Sequence, residues 1–239
     1  MASALPAAEC NTLIGSLPRR ERKPFVSLCD PFEMEFGDVL CKADKPYRHA
    51  CFPTSGLISL VSSRHDHNPL EMALIGQEGM LGATLLLGIR TVPIRAVVHG
   101  PGMGLCITVA NLQRQIRKSP GLRKVLTRYL YMQLVELSLV GECIRYHRIE
   151  ERLARALLLA HDRVPEDSIY LTHRCLAEML GVRRSSITLA AGDLQDRKLI
   201  SYSRGSITIL DRPGLETMSC DCYQMLNARQ DHHGLSRSH

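Results

Sequence analysis

Two adjacent arginines, Arg183 and Arg184, stand at the start of a helix-like pattern and are followed by short hydroxyl side chains. Guanidinium groups can hold phosphate oxygens or bond to the edge of guanine, and hydroxyl groups can bond to either. The apolar periodicity turns these groups outward, together with one leucine. The candidate contact residues are Arg183, Arg184, Ser185, Ser186, Thr188 and Leu189. These residue types suit the backbone and base edges of a nucleic acid.

A pair of short amphipathic helices must position these side chains. Leu176 and Leu180 stand four residues apart and therefore share one face of the first helix. We expect Gly181 to end that helix with a positive φ angle and Val182 to fill the angle between the helices. An apolar stripe in the second helix is formed by Ile187, Ala190, Ala191 and Leu194. The pattern predicts a helix-turn-helix, in which the second helix enters a major groove.

An alternating β pattern follows the helix pair. Apolar and polar residues alternate over residues 199–202 and again over 206–209, and Ser203-Arg204-Gly205 lies between the two stretches. This pattern is typical of a β-hairpin with an arginine at its tip. An amphipathic helix pair with a glycine turn also occurs in structural helical hairpins. The hairpin, and 6 Lys and Arg against 3 Asp and Glu over residues 171–210, favour a winged helix-turn-helix that binds double-stranded DNA. Arg204 is then a further candidate contact.

Length and charge set broader bounds. A chain of 239 residues can hold one large or two modest domains without covalent staples. The formal net charge of +6 suits a polyanionic partner, although a solvated basic surface gives the same number. With no Trp, 4 Phe and 7 Tyr, the composition argues against base stacking on single strands as the main binding mode.

The sequence lacks the signals of an exported protein, a membrane protein or an enzyme. No apolar stretch suits a secretory signal or a membrane span, so we expect a cytoplasmic protein without membrane contact. The 9 Cys are then expected to be reduced, and their odd number argues against a closed disulfide framework. Because no set of nucleophile, base and orienting group and no phosphate-binding loop is present, the sequence predicts neither an enzyme nor a cofactor.

Residues 36–107 have a β-like texture. Short apolar runs alternate with turn residues, and 9 Gly fall between Gly37 and Gly104. No helical crossover separates the runs, which favours a sandwich or barrel of jelly-roll type. The predicted strands cover residues 36–40, 52–61, 70–75, 94–98 and 104–108. A short helical entry, residues 11–28, precedes them, with interruptions expected at Pro18 and Pro24.

Helical spacing returns after Ala110. A short helix is predicted over 109–117, and Pro120 opens a helix of about 25 residues with leucines on more than one face. A helix with several apolar stripes needs more than one partner. We infer that one side packs on the β domain and the other on a second copy of the chain, while a buried core helix is the alternative. A further helix over 147–162 leads into the helix-turn-helix.

The sequence therefore predicts an α+β chain in four parts. Residues 1–118 form a jelly-roll sensor domain with an N-terminal helix, and residues 119–145 form a long dimerisation helix. Residues 146–219 form a winged helix-turn-helix DNA-binding domain, and residues 220–239 form a polar C-terminal tail.

This order of parts resembles the CRP/FNR superfamily of bacterial transcription regulators over residues 11–216. The segments with the most specific resemblance are 52–61, in a cyclic-nucleotide-binding-like domain, and 172–209. The resemblance implies a homodimer whose two second helices read the half-sites of a near-palindromic operator. It also implies RNA polymerase as a partner and an N-terminal domain that biases the placement of the helices.

The recognition helix departs from the pattern of that superfamily. The family commonly presents an Arg-Glu pair and a second Arg one turn later. Arg184 matches the first Arg, but Ser185 stands at the Glu position and Leu189 at the later Arg position. The resemblance therefore implies a target unlike that of the cyclic-AMP receptor. A Ser, Thr or Asp cap is usual at the position of Arg183. A positive side chain is unfavourable there, because the start of a helix is itself positive, unless a phosphate lies nearby.

The sensor segment departs as well. Ala83 replaces the family's ribose-binding Glu, and the Arg-Ser/Thr pair that holds the cyclic phosphate is missing. Gly82 and Arg95 remain as candidate contacts for an unknown small-molecule effector. The iron–sulfur branch uses closely spaced N-terminal cysteines, whereas the thiols here are dispersed and are interpreted as packing residues. They are Cys10, Cys29, Cys41 and Cys51.

Two further thiol features are open. Cys175 could be a redox switch if it were exposed beside Arg174, although a small buried residue fits the same position. Cys220-Asp221-Cys222 followed by His232-His233 matches no common zinc spacing, so no metal site is predicted. The alternative function is a ligand- or redox-sensing protein that acts mainly through protein partners and carries a vestigial DNA-binding domain.

Overall fold

The computed structural model describes residues 11–62, 70–164 and 168–232 of the chain. Cys10 and His233, which the sequence analysis names, lie outside these ranges. The described chain is a mixed helix and sheet structure, as predicted, with an antiparallel β domain of jelly-roll type followed by a long helix and a helix-turn-helix.

Seven strands build the β domain as two packed antiparallel sheets, ordered β1-β7-β3 and β2-β6-β4-β5. The strands are β1 Asp30–Met34, β2 Val39–Cys41, β3 His49–Pro53, β4 Leu57–Ser62, β5 Glu71–Ile75, β6 Ile94–Gly100 and β7 Gly102–Thr108. Apolar side chains from the inner faces of both sheets form one core, which includes Met34, Phe52, Ile58, Ile75, Val98 and Leu105. Strand β1 was not predicted, because its Asp30-Pro31 start lacks a strong β signal.

The stretch predicted as strand, turn and strand over 52–61 crosses from one sheet to the other. Strand β3 pairs with β7, whereas β4 pairs with β5 and β6. Gly56 makes the crossing with a φ of 75°, and a Cβ atom there would lie 2.5 Å from the carbonyl oxygen of Gly100. Glycine is therefore required both by the backbone conformation and by the close approach of the β6–β7 turn.

Two short helices, α1 Thr12–Gly15 and α2 Arg19–Val26, precede the sheets. Pro18 separates them, as expected, but the interruption predicted at Pro24 is wrong because Pro24 lies inside α2. Phe25 and Val26, which follow it, are buried in the core of the β domain. Their burial offsets the one hydrogen bond that a proline removes from the helix.

The long helix α4, Pro120–Tyr146, follows α3, Val109–Lys118, and a 3-10 helix, Ala83–Leu87, packs against it. One face of α4 is buried and carries Leu122, Val125, Leu126, Tyr129, Met132, Val135, Glu136, Leu139 and Cys143. Another face leaves Leu134, Leu137 and Ile144 exposed. The helix thus has the two apolar faces that its sequence predicted.

The C-terminal region combines helices with one small sheet, ordered β8-β10-β9. Its elements are α5 Ile149–His161, β8 Ser168–Tyr170, α6 His173–Leu180, α7 Arg184–Asp196, β9 Ile200–Ser203, β10 Ser206–Ile209, α8 Arg212–Met218 and α9 Cys222–His232. Strand β8 was not predicted, because three residues are too few to show an alternation of apolar and polar side chains. It widens the predicted hairpin to three strands.

The polar tail predicted from residue 220 onward is corrected by helix α9. Cys222, Tyr223 and Leu226 are buried, and α9 packs against α4 and α5. A polar composition hid these anchors, because three buried side chains in a short segment give no long apolar stripe.

A buried ion-pair network joins the two regions. Arg163, just after α5, bonds to Glu136 of α4 at 2.8 Å and to Glu78 of the β5 loop at 3.0 Å. The Arg163 side chain is only 5% exposed. Its carbonyl oxygen also accepts a hydrogen bond from the Gln77 backbone N–H. Three elements therefore meet at one guanidinium group.

We expect Arg163→Met to lower the free energy of unfolding by about 3 kcal/mol, because Glu78 and Glu136 would lose the buried cation to which both of them bond. Urea denaturation followed by circular dichroism measures the change. Arg174→Met is the control, because Arg174 is 84% exposed and pairs only with Glu178 along one helix, so its loss should cost under about 0.5 kcal/mol. Equal effects of the two substitutions would contradict a structural role for the network.

Candidate DNA interface

The turn between α6 and α7 has the predicted geometry. Gly181 ends α6 with a φ of 63° and a ψ of 37°, and its N–H bonds to the carbonyl oxygen of Glu178. Val182 is partly buried against the core of the C-terminal region. Thr172 caps the start of α6, since its hydroxyl accepts a hydrogen bond from the Cys175 N–H at 3.2 Å. Local sequence therefore fixes both ends of this helix.

Helix α7 buries its predicted stripe and exposes the candidate contact residues. Ile187, Ala190, Ala191 and Leu194 are buried. Arg183, Arg184, Ser185, Thr188 and Leu189 are exposed, and Ser186 is partly exposed. Leu189 is 76% exposed, the accessibility that a contact with a thymine methyl group would need. The candidate set thus lies on the N-terminal half of one helix.

Arg183 occupies the N-cap position of α7 and makes no side-chain capping bond. Two exposed arginines therefore stand at the positive end of the helix, and the first turn has no acidic residue. Such an end attracts a phosphate, because the helix dipole and both side chains favour negative charge.

Thr188 is held by its neighbours rather than freely rotating. Its hydroxyl lies 3.1 Å from His173 Nδ1 and 3.1 Å from the carbonyl oxygen of Arg184. The His173 ring stacks on Tyr202 of β9 with centroids 4.5 Å apart. Burial, and then the charge of Arg184, lower the pKa of His173 below its usual value, so the ring is neutral at pH 7. The network orients α7 against the wing.

The wing is the hairpin of β9 and β10, closed by Arg204 and Gly205. Ser203 pairs with Ser206, which leaves a two-residue loop. Both loop residues have positive φ angles, 50° for Arg204 and 91° for Gly205, as a type I′ turn requires. Arg204 is exposed at the tip, as predicted from its position.

A cavity of about 170 Å³ lies between the β domain and α4. Of the two candidate effector residues, Gly82 lines it and Arg95 does not. Its wall is mostly apolar and includes Leu60, Met72, Met80, Val92, Leu130, Leu134 and Leu137. None of the described residues that line it is an arginine, so the cavity suits a small apolar molecule better than a cyclic nucleotide.

The thiols are placed differently from the sequence patterns. Cys175 is 5% exposed and receives a contact from the Thr172 hydroxyl at 3.1 Å, while Arg174 bonds to Glu178. Cys175 therefore lacks the exposure beside Arg174 that a redox switch needs.

Cys220 and Cys222 lie beside Cys143 and His147, a grouping that the sequence analysis missed. The signal that could have found it is Cys143-x-x-x-His147, one turn apart on a helix.

Comparison with known proteins agrees with this architecture. Residues 151–218 match the family described as "Crp-like helix-turn-helix domain". The match assigns a Crp-like helix-turn-helix to the C-terminal region of the chain. It is 23% identical over 174 residues to the global nitrogen regulator of Nostoc sp., covering 69% of this chain and 78% of that protein. It is 26% identical over 182 residues to the transcriptional regulator SdrP of Thermus thermophilus, and the match covers 74% of this chain and 84% of that protein.

Solved CRP/FNR structures share the fold of this chain. FixK2 from Bradyrhizobium japonicum superposes with a TM-score of 0.70 at 14% identity, over 80% of this chain and 98% of that chain. TTHA1359, a transcriptional regulator of the CRP/FNR family from Thermus thermophilus, gives a TM-score of 0.64 at 24% identity. The superposition covers 80% of this chain and 98% of that chain. None of the helices in the described residues combines the length and the apolar character that a membrane span needs.

We expect Gly181→Ala to destabilise the helix-turn-helix by about 1–2 kcal/mol, because the left-handed conformation at that turn is unfavourable for alanine. A Cβ atom there would also lie 2.8 Å from the Leu70 side chain. Gly192→Ala is the control, because Gly192 lies inside α7 with nothing within 4 Å of its Cβ position. It should stabilise by about 0.5–1 kcal/mol. Thermal denaturation measures both, and shifts of the same sign would contradict the turn assignment.

Proposed function

We propose that this chain is a homodimeric transcription regulator whose two α7 helices bind the half-sites of a near-palindromic DNA operator. The observation that carries the proposal is the exposed N-terminal end of α7, where Arg183 and Arg184 stand without a side-chain cap bond and without an acidic residue in the first turn. The Crp-like match over residues 151–218 supports the same role. Arg204 at the wing tip is placed to contact the flanking phosphates.

The dimer interface is proposed on the exposed face of α4. Residues 130, 134, 137, 141 and 144 follow one another at steps of four and three, the spacing of a two-helix seam. They are Leu130, Leu134, Leu137, Gly141 and Ile144. A Cβ atom at Gly141 would meet nothing within 4 Å, which allows a second helix to approach closely. A two-fold dimer of this kind would present two α7 helices to the DNA.

The effector cavity and the proposed dimer seam share Leu130, Leu134 and Leu137. A small apolar ligand in the cavity would therefore contact the face of α4 that packs on the second copy. Such a ligand would change DNA affinity only as far as it binds one arrangement of the two copies better than the other. We propose RNA polymerase as a further partner on the CRP/FNR likeness alone. A role limited to protein partners has no comparable observation in its favour.

Selection of binding sites from random duplex DNA tests the function. We expect the purified protein to enrich a near-palindrome, with an affinity that falls steeply as the salt concentration rises. Arg184→Ala should weaken binding to the selected site by about 1–3 kcal/mol, because a guanine or phosphate contact is lost. Fluorescence anisotropy with the selected duplex and a scrambled duplex measures the loss.

Arg114→Ala is the matched control, since Arg114 is an exposed arginine on α3 and should leave binding unchanged. Arg204→Ala should weaken binding to both duplexes alike and reduce the slope of log affinity against log salt by about 1, as expected for a phosphate contact. The proposal fails if no sequence is enriched with or without reductant and a small-molecule extract, or if Arg184→Ala and Arg114→Ala bind equally well.

A substitution that introduces a charged side chain tests the dimer seam. We expect Leu137→Glu to shift the protein from dimer to monomer, because two buried carboxylates would face each other across the seam. Light scattering after size exclusion measures the mass. Leu210→Glu is the control, since Leu210 is an exposed leucine of the C-terminal region that lies off α4. A monomeric wild-type protein, or a Leu137→Glu protein that stays dimeric, would refute the seam.

A further inference from the structure

Four potential metal ligands meet where the long helix ends. Cys143, His147, Cys220 and Cys222 each offer one ligand atom, and these atoms all lie within 4.8 Å of one another. The three cysteines are buried and His147 is partly buried. The group lies outside the DNA interface and the effector cavity, so neither of those sites accounts for it.

Two separate segments supply the ligands. Cys143 and His147 stand one turn apart at the end of α4, and the His147 N–H bonds to the Cys143 carbonyl oxygen at 3.2 Å. Cys220 and Cys222 stand two residues apart at the start of α9. The Sγ atoms of Cys143 and Cys220 are 3.5 Å apart, and Cys222 Sγ is 3.7 Å from His147 Nδ1. The packing of α9 on α4 brings the two pairs together.

These distances suit one tetrahedral ion. Two thiolates on a zinc ion stand about 3.8 Å apart when each Zn–S bond is about 2.3 Å long. The sulfur atoms of Cys143 and Cys220, 3.5 Å apart, are close to that edge. The 3.7 Å from Cys222 Sγ to His147 Nδ1 is close to the edge of about 3.6 Å expected between a sulfur and a nitrogen ligand, so small side-chain rotations would close the shell. Three thiolates and one imidazole form a donor set typical of structural zinc sites.

The surroundings also carry the charge that such a site needs. Three thiolates and one Zn²⁺ leave a net negative charge. Arg152 and Arg155 of α5 are buried beside the cluster, and the charge of Arg155 acts on all three thiols. The Nε atom of Arg155 has no hydrogen-bond partner among the described residues. A negatively charged centre would balance these buried cations.

We propose that Cys143, His147, Cys220 and Cys222 bind one Zn²⁺ ion in a tetrahedral site. The ion joins the end of α4 to the start of α9 and fixes the junction from which the helix-turn-helix departs. Because its ligands come from segments far apart in the chain, its binding energy adds to the stability of the folded state. The site stands on its own ligands and does not depend on DNA binding.

The test uses the full-length protein, expressed with added zinc and purified under reductant without chelator. Plasma mass spectrometry should find about one zinc per chain in the wild type. After removal of zinc under anaerobic conditions, Co²⁺ should give the charge-transfer and ligand-field bands of a tetrahedral cobalt thiolate. Cys143→Ser and Cys222→Ser should lose the zinc. Cys41→Ser, which alters a buried thiol of the β domain, should keep it.

Circular dichroism checks that each variant is folded, and the wild-type cobalt spectrum decides the question if a variant is not. The proposal is overturned if the wild type holds no zinc and its reduced form gives no tetrahedral cobalt spectrum. It is also overturned if folded Cys143→Ser retains stoichiometric zinc, or if peptide mapping finds Cys143 and Cys220 as a disulfide in reduced, zinc-supplemented protein.

Discussion

Helix α4 has to belong to two hydrophobic cores at once, and the rest of the structure depends on that constraint. Its first half, from Leu122 to Tyr129, packs into the core of the β domain. Its second half, from Met132 to Cys143, packs into the core of the C-terminal region. Because both cores are close-packed, neither half can move without disturbing its partners. Helix α4 therefore joins the two cores physically.

Polar contacts fix how the two cores are aligned on that helix. The Arg163 network lies where the first core gives way to the second, and Tyr129 donates a hydrogen bond to the Met80 carbonyl oxygen at 3.3 Å in the same region. Apolar packing alone tolerates sliding, whereas hydrogen bonds need particular distances and angles. The network therefore sets one register of α4 against the β domain. The proposed zinc site would do the same at the far end of the helix.

The β domain has a cavity in contact with α4, and the described residues that line it do not include the charged residues that the family resemblance associates with a cyclic nucleotide. Gly82 still lines the cavity, but Ala83 has no carboxylate and Arg95 lies off its wall. Arg95 Nε is buried and has no hydrogen-bond partner among the described residues. The family resemblance predicts that a cyclic nucleotide would lack its usual partners here, and this stays a prediction. It could not indicate that apolar side chains line the cavity, since those come from several strands and from α4.

The sequence by itself determined the features that depend on neighbours along the chain. The Gly181 turn, the buried stripe of α7 and the Arg204-Gly205 turn follow from local periodicity and backbone conformation. The bounds of α4 follow equally from Pro120 and from the apolar spacing after it. These signals also placed the exposed residues of the candidate DNA interface on one face.

Tertiary structure alone decided which distant residues meet. The division of strands between two sheets, the helix formed after residue 220 and the position of Arg95 depend on contacts that no local pattern encodes. The grouping of Cys220 and Cys222 with Cys143 and His147 is the clearest case. Metal ligands need only be close in space, and here the packing of two helices, not spacing in the sequence, brings them within reach of one another.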